Sequence, residues 1–145
     1  MLLPPGIEIA QMSAGHCDQV IALWRATENV GLSEADSRCG IEAYLLRNPG
    51  MSFVACEAGR VVGAALCGTD GRRGYLHHLA VAEPHRRRGI GRELVRRCLA
   101  ALRDRGIAKC NLFVFARNRE AIAFWKQIGW TERVELKVVS RTTDA

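Results

Sequence analysis

The stretch from Leu79 to Leu94, LAVAEPHRRRGIGREL, decides the fold of this chain. It begins as an apolar strand, passes through a short loop and enters a helix with apolar residues at helical spacing. Arg86–Arg88, Gly89 and Gly91 stand where that helix begins. The first N–H groups of a helix have no intrahelical partners, the helix dipole is positive there, and glycines let an anion approach the backbone. The stretch therefore predicts an anion cradle that suits a pyrophosphate.

Two better-known phosphate motifs are excluded. A Walker loop needs GxxxxGK[ST], which the chain lacks, and the dinucleotide fingerprint GxGxxG needs a glycine where Leu94 stands. The plain alternative is a tight strand-to-helix turn followed by a solvated arginine run. The clustering of charge at the start of a helix favours anion binding over that alternative.

Length and composition predict one domain over residues 1–145. The chain has 145 residues, 48% hydrophobic and 25% charged, which excludes wholesale disorder. It has no apolar run of the ~20 residues that a membrane helix needs, and its first residues do not resemble a signal peptide. The six cysteines are scattered singly, without metal-ligand spacing. We therefore expect a cytoplasmic protein with free thiols, no metal and no membrane partner.

Charge is divided unevenly along the chain. Residues 1–59 carry three arginines and seven acidic groups, whereas residues 60–145 carry eighteen basic and eight acidic groups. The basic half is expected to meet an anion, either nucleic acid, phosphate or a phosphorylated cofactor. Because the chain lacks the signatures of nucleic-acid-binding folds and is only 6% aromatic, nucleic acid is not expected as a partner.

The remaining patterns predict an α/β (α+β) chain in the order β, α, α, β, β, β, α, β, α, β, β. A doubly wound dinucleotide fold would alternate strands and helices more strictly. The predicted strands cover residues 7–10, 52–57, 60–68, 75–82, 109–115, 130–133 and 135–140. The predicted helices cover residues 14–28, 34–47 and 89–105, and a last helix runs from 118 until the glycine at 129 stops it.

Two blocks of the sequence resemble the GNAT superfamily of N-acetyltransferases. The first block, Leu79-Ala80-Val81-x-x-Pro84-x-Arg86-x-x-Gly89-x-Gly91-x-x-Leu94, resembles its motif A. The second, Asn118-x-x-Ala121-x-x-Phe124-Trp125-x-x-x-Gly129-Trp130, resembles its C-terminal motif, N-x-x-A-x-x-[LF]-Y-x-x-x-G-F. Within the superfamily the chain is similar to small bacterial single-domain members of the YpeA-like and ribosomal-protein-acetylating types. The resemblance implies the GNAT fold, a mixed central sheet of about six to seven strands flanked by about four helices.

The resemblance also implies acetyl-CoA as the cofactor. Its pantetheine arm would pair with the backbone of the strand at Leu79, Ala80 and Val81. Its pyrophosphate would be held by the N–H groups of the loop, formed by Arg86, Arg87, Arg88, Gly89, Ile90, Gly91 and Arg92. Asn118 and Trp125 stand at positions where the family meets the cofactor, and Asn118 is also a candidate helix N-cap.

The implied activity is transfer of the acetyl group to a primary amine by direct attack in a ternary complex. The acceptor is a small molecule, a peptide or protein N-terminus, or a lysine. Trp125 departs from the family pattern, which often has a tyrosine there as general acid, and an indole is not a practical proton source. The CoA thiolate can leave unaided, since a thiol with a pKa of roughly 8.5 is a tolerable leaving group, or another donor serves.

A general base would help because an amine with a pKa of about 10.4 is protonated at neutral pH. Some family members carry a base at positions that match Tyr75 or His77, so His77 is the first candidate and Tyr75 the second proton carrier. Strand alternation predicts Tyr75, His77, Leu79 and Val81 on one face, with Leu76, His78 and Ala80 on the other. His78 is interpreted as a hydrogen-bonded structural histidine, and the same structural role is the alternative to catalysis for His77.

Three further expectations concern the acceptor, an alternative function and the oligomeric state. The first two helices and their connector usually cover the acceptor site in this fold. Their excess of acidic residues, which include Glu28, Glu34, Asp36 and Glu42, suits a cationic amine or a peptide N-terminus. The alternative for any single carboxylate is a solvated helix surface. The alternative function is a non-catalytic acyl-CoA-binding module. The argument for it is that Trp125 replaces the usual tyrosine. Homodimers through the stretch from Val134 to Ser140 are possible on family grounds.

Overall fold

The computed structural model describes residues 3–144, in two compact units that meet in sequence at Phe113 and Val114. The first unit contains β1 (Ile7–Gln11), α1 (Cys17–Arg25), α2 (Arg38–Arg47), β2 (Phe53–Glu57), β3 (Arg60–Thr69), β4 (Gly74–Val81), α3 (Ile90–Asp104) and β5 (Cys110–Leu112). The second unit contains α4 (Arg119–Gln127). Short 3₁₀ helices cover Ala14–His16, Glu34–Asp36 and Glu83–His85.

The strands form one mixed sheet in the order β1-β2-β3-β4-β5. The first four pair antiparallel as a meander, and β5 pairs parallel to β4. The α3 crossover between β4 and β5 makes that parallel pairing possible. The mixed α/β class, the meander and the four α-helices are therefore confirmed.

The strand count is lower than expected, because the described residues form five strands. The stretches 130–133 and 135–140, predicted as strands, form none. Val134, Leu136 and Val138 do alternate with polar residues, but their side chains are 61–80% exposed. Alternation predicts a strand only where a neighbouring strand can satisfy its backbone, and the described part of the second unit contains no such neighbour.

Helices cover both faces of the sheet in the first unit. The core on one face joins Trp24 of α1 and Ile41 of α2 to Ala64 and Leu66 of β3. On the other face α3 contributes Ile90, Leu94, Val95, Cys98 and Leu102, all buried. A Cβ on Gly74 would stand 2.4 Å from Leu102, so the absence of a side chain there lets α3 approach β4 closely. No helix among residues 3–144 is long and apolar enough to cross a membrane.

A β-bulge interrupts β4 and corrects the predicted alternation. Ala80 lies opposite Ala64, but His77 lies opposite Leu66, so the two residues of β4 between these pairs face one residue of β3. His78 supplies the extra residue in a left-handed conformation, with φ +54°. One extra residue reverses the phase of a strand. Tyr75 and His77 therefore share the α1–α2 face with Ala80, whereas Leu76 and Val81 share the α3 face.

Candidate functional site

The loop before α3 presents a row of unused backbone donors. Gly89, with φ +84°, caps α3 in the left-handed conformation that glycine adopts without strain. No described residue accepts a hydrogen bond from the N–H groups of residues 87–92, and the first donor used in α3 is the N–H of Glu93, which bonds to Gly89. Unused donors at the positive end of a fifteen-residue helix form a binding place for an anion.

The arginines of this loop have two different roles. Arg86 directs its Nε back to the carbonyl of Val81, 2.9 Å away, and so ties the loop to the end of β4. Arg87, Arg88 and Arg92 are exposed. The one carboxylate in the first turn of α3 belongs to Glu93, whose pKa is lowered by hydrogen bonds from Arg96 and then Arg97. Because arginine pairs that negative charge, the loop keeps its positive field.

The edge of β4 beside this loop is open. β5 pairs with β4 only from Gly74 to Leu76. Beyond Leu76 no described strand pairs with β4 on that side, while β3 pairs with Ala80 and Val81 on the other. The backbone at Leu79, Ala80 and Val81 thus offers the kind of edge that an extended amide-containing molecule can join as an added strand.

His77 sits where the bulge begins, half-buried, with its ring centroid 6.0 Å from that of Tyr44 and in an edge-to-face arrangement. Burial lowers the pKa of His77, the nearby His78 lowers it further, and Asp36 acts in the opposite direction. The imidazole is therefore neutral at pH 7, which is the form that accepts a proton.

His78 has the hydrogen bond and the ring packing of a structural histidine, as the sequence predicted. Its Nε2 lies 2.8 Å from Oδ1 of Asp36 in the connector between α1 and α2, and its ring packs edge-to-face on Trp24. The sequence contained no signal for this pairing, because the two residues are 42 positions apart.

Tyr44 packs on His77, and Tyr75 stands on the same face of β4. Tyr75 lies opposite Gly68 and packs at 6.5 Å from the ring of Phe113. Burial, followed by the nearby Cys67 and Cys110, raises the pKa of Tyr44 to about 12. Sequence analysis did not single out Tyr44, because a tyrosine on an apolar helix face looks like any core residue.

Asn118 and Trp125 belong to the second unit. Asn118 caps α4, since its Oδ1 accepts a hydrogen bond from the N–H of Ala121 at 3.2 Å. Trp125 stacks edge-to-face with Phe124 and Trp130, at 5.1 and 5.0 Å. The N-cap role of Asn118 is confirmed, and the cofactor roles of both residues stay predictions.

The sequence matches known acetyltransferases over most of its length. The model of the Acetyltransferase (GNAT) family matches residues 17–130. An acetyltransferase from Sodalis glossinidius is 34% identical over 122 residues, which cover 84% of this chain and 85% of that protein. One from Photorhabdus laumondii is 31% identical over 135 residues, 92% of each chain.

Solved structures agree on the fold. Ard1 from Thermoplasma volcanium superimposes with a TM-score of 0.77 at 24% identity, over 87% of this chain and 83% of its own. The aminoglycoside N-acetyltransferase AAC(6′)-Iy in complex with CoA has a TM-score of 0.76 at 19% identity, over 99% of this chain and all of its own. Naa50 of Arabidopsis thaliana, bound to the bisubstrate analogue CoA-Ac-MVNAL, has a TM-score of 0.68 at 22% identity, over 86% and 82%.

These matches settle the two resemblances that the sequence motifs raised. The family match covers both the loop before α3 and the motif that begins at Asn118. Relatives at 31–34% identity across more than four fifths of the chain carry the name acetyltransferase, which does not favour a non-catalytic binding module. The chain therefore belongs to the GNAT acetyltransferase family and is an acetyl-CoA-dependent N-acetyltransferase.

Proposed function

We propose that the chain holds acetyl-CoA along the open edge of β4 and on the loop before α3, and that a cationic primary amine takes the acetyl group. The observation that carries this proposal is the adjacency of the unused N–H groups of residues 87–92 to the unpaired edge at Leu79–Val81. The donors fit a pyrophosphate, and the edge fits the amides of a pantetheine arm.

The loop residues have separate duties in this proposal. The N–H groups from Arg87 to Arg92 bind the pyrophosphate, with the exposed arginines adding charge. Arg86 holds the loop against Val81 through its Nε, and its guanidinium is proposed to add charge at the cofactor site. When it is bound, acetyl-CoA supplies the activated acetyl thioester. Asn118 and Trp125 are proposed as further cofactor contacts on motif grounds alone.

His77 is the proposed general base. A lysine-like amine with a pKa of about 10.4 must lose a proton before it attacks. The lowered pKa of His77 keeps the imidazole ready to accept that proton, directly or through a water molecule. Tyr75, on the same face of β4, is the second proton carrier we propose. The thiol of CoA, with a pKa of roughly 8.5, can leave without a dedicated acid.

Acidic side chains of the connector favour a cationic acceptor. Asp36 is engaged by His78 and Glu42 by Arg38, but Glu28 and Glu34 are exposed and form no ion pair among the described residues. Two carboxylates without a counter-charge attract an ammonium group. One related structure is that of an aminoglycoside N-acetyltransferase, and another contains the bisubstrate analogue CoA-Ac-MVNAL, so we test an aminoglycoside and a peptide among the amines.

An acceptor screen tests this proposal. The chain is incubated with acetyl-CoA and one amine, namely tobramycin, spermidine, the peptide Met-Val-Asn-Ala-Leu with a free N-terminus, or the same peptide with its N-terminus blocked. Free CoA is measured by chromatography, because the exposed thiol of Cys39 would react with a thiol reagent. We expect faster CoA release with at least one cationic amine and none with the blocked peptide. Release at the rate of the amine-free control with every amine would contradict the proposal.

Three further proposals concern the whole chain. We propose that the chain folds as one domain, which a single cooperative unfolding transition would support. We propose a cytoplasmic location, in keeping with six free cysteines. We also propose a homodimer through the exposed apolar residues between Val134 and Ser140, which light scattering on the full chain and on a Val138→Lys variant would test.

A further inference from the structure

We propose that Asp36 and His78 act together as a positioning pair for acetyl transfer, with Asp36 holding the β4 bulge that sets His77 at the open end of the strand. The inference rests on the proposed role of His77 as base. It assigns a duty to two residues that neither bind the cofactor nor exchange a proton with the acceptor.

The carboxylate of Asp36 is fixed at both of its oxygens. Oδ1 lies 2.8 Å from Nε2 of His78, and Oδ2 accepts the backbone N–H of Ser33 at 3.0 Å. The side chains of His78 and Asp36 are only 18% and 10% exposed. A carboxylate held by two donors in a partly buried place cannot rotate away without leaving a polar group unpaired, so this contact is rigid.

The pair connects two parts of the fold that are distant in sequence. Asp36 lies in the connector between α1 and α2, and His78 is the extra residue of the β4 bulge. The bulge depends on a left-handed backbone at a residue other than glycine, a conformation that persists only when the surroundings hold it. The hydrogen bond to Asp36 and the edge-to-face packing on Trp24 supply that hold.

The bulge in turn decides where His77 stands. The phase reversal brings His77 to the same sheet face as Ala80, next to the strand edge at Leu79–Val81. If the bulge slid or closed, the residues on one side of it would move to the other face of the sheet. The hydrogen bond between His78 and Asp36 therefore fixes the side chain of His77 relative to the open edge of β4, although His77 takes no part in that bond.

The charged groups near His77 allow an experiment to distinguish a positioning role of the pair from a direct electrostatic effect on the pKa of His77. The titratable side chains in direct contact with the two histidines are Asp36 from the connector and Tyr44 from α2. Tyr75 stands on the same face of β4 as His77, and Trp24 from α1 adds no charge. Asp36 raises the pKa of His77 and His78 lowers it. Replacing Asp36 and replacing His78 should thus shift the titration of His77 in opposite directions, although both changes remove the hydrogen bond that holds the bulge.

The test compares Asp36→Asn, His78→Asn and the double variant with wild type. Asparagine tolerates the left-handed backbone at 78, and thermal unfolding shows whether each variant folds. Asp18→Asn is the matched control, because it breaks a carboxylate pair with Arg38 on the same helical layer, away from His78. The measurements are turnover with the fastest acceptor of the screen, acetyl-CoA affinity by calorimetry, and the His77 titration by NMR of labelled histidine.

We expect each single variant to lose about tenfold to a hundredfold in kcat, the cost of a misplaced catalytic group, with little change in acetyl-CoA affinity. The double variant should lose no more than a single one, since the two residues act as one unit. The midpoint of His77 should fall in Asp36→Asn and rise in His78→Asn. Asp18→Asn should behave as wild type in all three measurements.

One outcome would overturn the positioning pair, and another would overturn the assignment of His77 as the base. A wild-type kcat in Asp36→Asn, with the His77 titration unmoved, overturns the positioning pair whatever His77 does. A wild-type kcat in His77→Gln instead overturns the assignment of His77 as base, and with it the claim that the pair serves that base. Additive losses in the double variant also count against the pair, because they would mean two independent structural effects.

Discussion

The backbone of Gly68 lies directly beneath the phenolic oxygen of Tyr44, so that a Cβ added at Gly68 would stand 2.3 Å from that oxygen. The same Cβ would stand 2.7 Å from the amide of Asn48, which is buried and accepts the N–H of Thr69. Tyr44 packs in turn on His77. The absence of one side chain on β3 thus lets α2 approach the sheet and form the wall beside His77.

Gly68→Ala should therefore destabilise the protein by about 1–3 kcal/mol, the usual cost of overpacking a filled site. Urea unfolding measures the change. Gly15→Ala is the control, because the nearest atom to its added Cβ is a serine hydroxyl 3.7 Å away. Equal stabilities of the two variants would show that Tyr44 and Asn48 move aside freely, so that the approach of α2 does not require glycine at position 68.

His77→Ala should lower kcat by about a hundredfold to ten-thousandfold, the usual contribution of a general base. The affinity for acetyl-CoA should change far less, because the donors of residues 87–92 are untouched. Steady-state kinetics and calorimetry separate the two effects. Turnover that stays at the wild-type level from pH 6 to 8 would remove His77 from the catalytic role.

The sequence predicted those parts of the site that depend on local pattern. The strand, loop and helix from Leu79 to Leu94 form as expected, because helix capping and donor exposure follow from neighbouring residues. The phase of β4 was wrong beyond His77, because a bulge at His78 is decided by contacts with Asp36 and Trp24 that are distant in sequence. The last strands were wrong for a similar reason, since pairing needs a partner that alternation alone does not reveal.

Stability should fall as the solution is acidified below the ordinary histidine pKa near 6.5, because the folded pKa of His77 is lowered by burial and by His78. Between 6.5 and the lower folded value the unfolded chain binds more protons than the native one, so acid favours unfolding. The loss should level off below the folded pKa. Chemical unfolding from pH 7.5 to 5 measures it, and His77→Gln should flatten that part of the profile. An unchanged profile in the variant would contradict the burial of His77.

Tyr44 should ionise near pH 12, well above an ordinary tyrosine at 10, since burial is the main cause of its raised pKa. The native state favours the protonated phenol, so its contribution to stability is complete below pH 10 and is lost as the pH rises through 12. With only two tyrosines in the chain, an absorbance titration resolves this step. Tyr44→Phe should remove the step near pH 12. The absence of that step from the wild-type titration would mean that the ring of Tyr44 is open to solvent.

Acetyl-CoA should raise the unfolding temperature, and the rise should depend on the cap of α3. Ligand at ~100 times Kd adds about 2.7 kcal/mol, or about 5–10 °C for a domain of this size. Gly89→Val places a branched residue at φ +84° and distorts the donor row, so the rise should largely disappear. Gly106→Val imposes similar strain at φ +77°, beyond the other end of α3, and should keep it. An equal rise with ATP would make the loop a generic anion site rather than the CoA site. An intact rise in Gly89→Val would show that acetyl-CoA binding does not depend on the left-handed cap of α3.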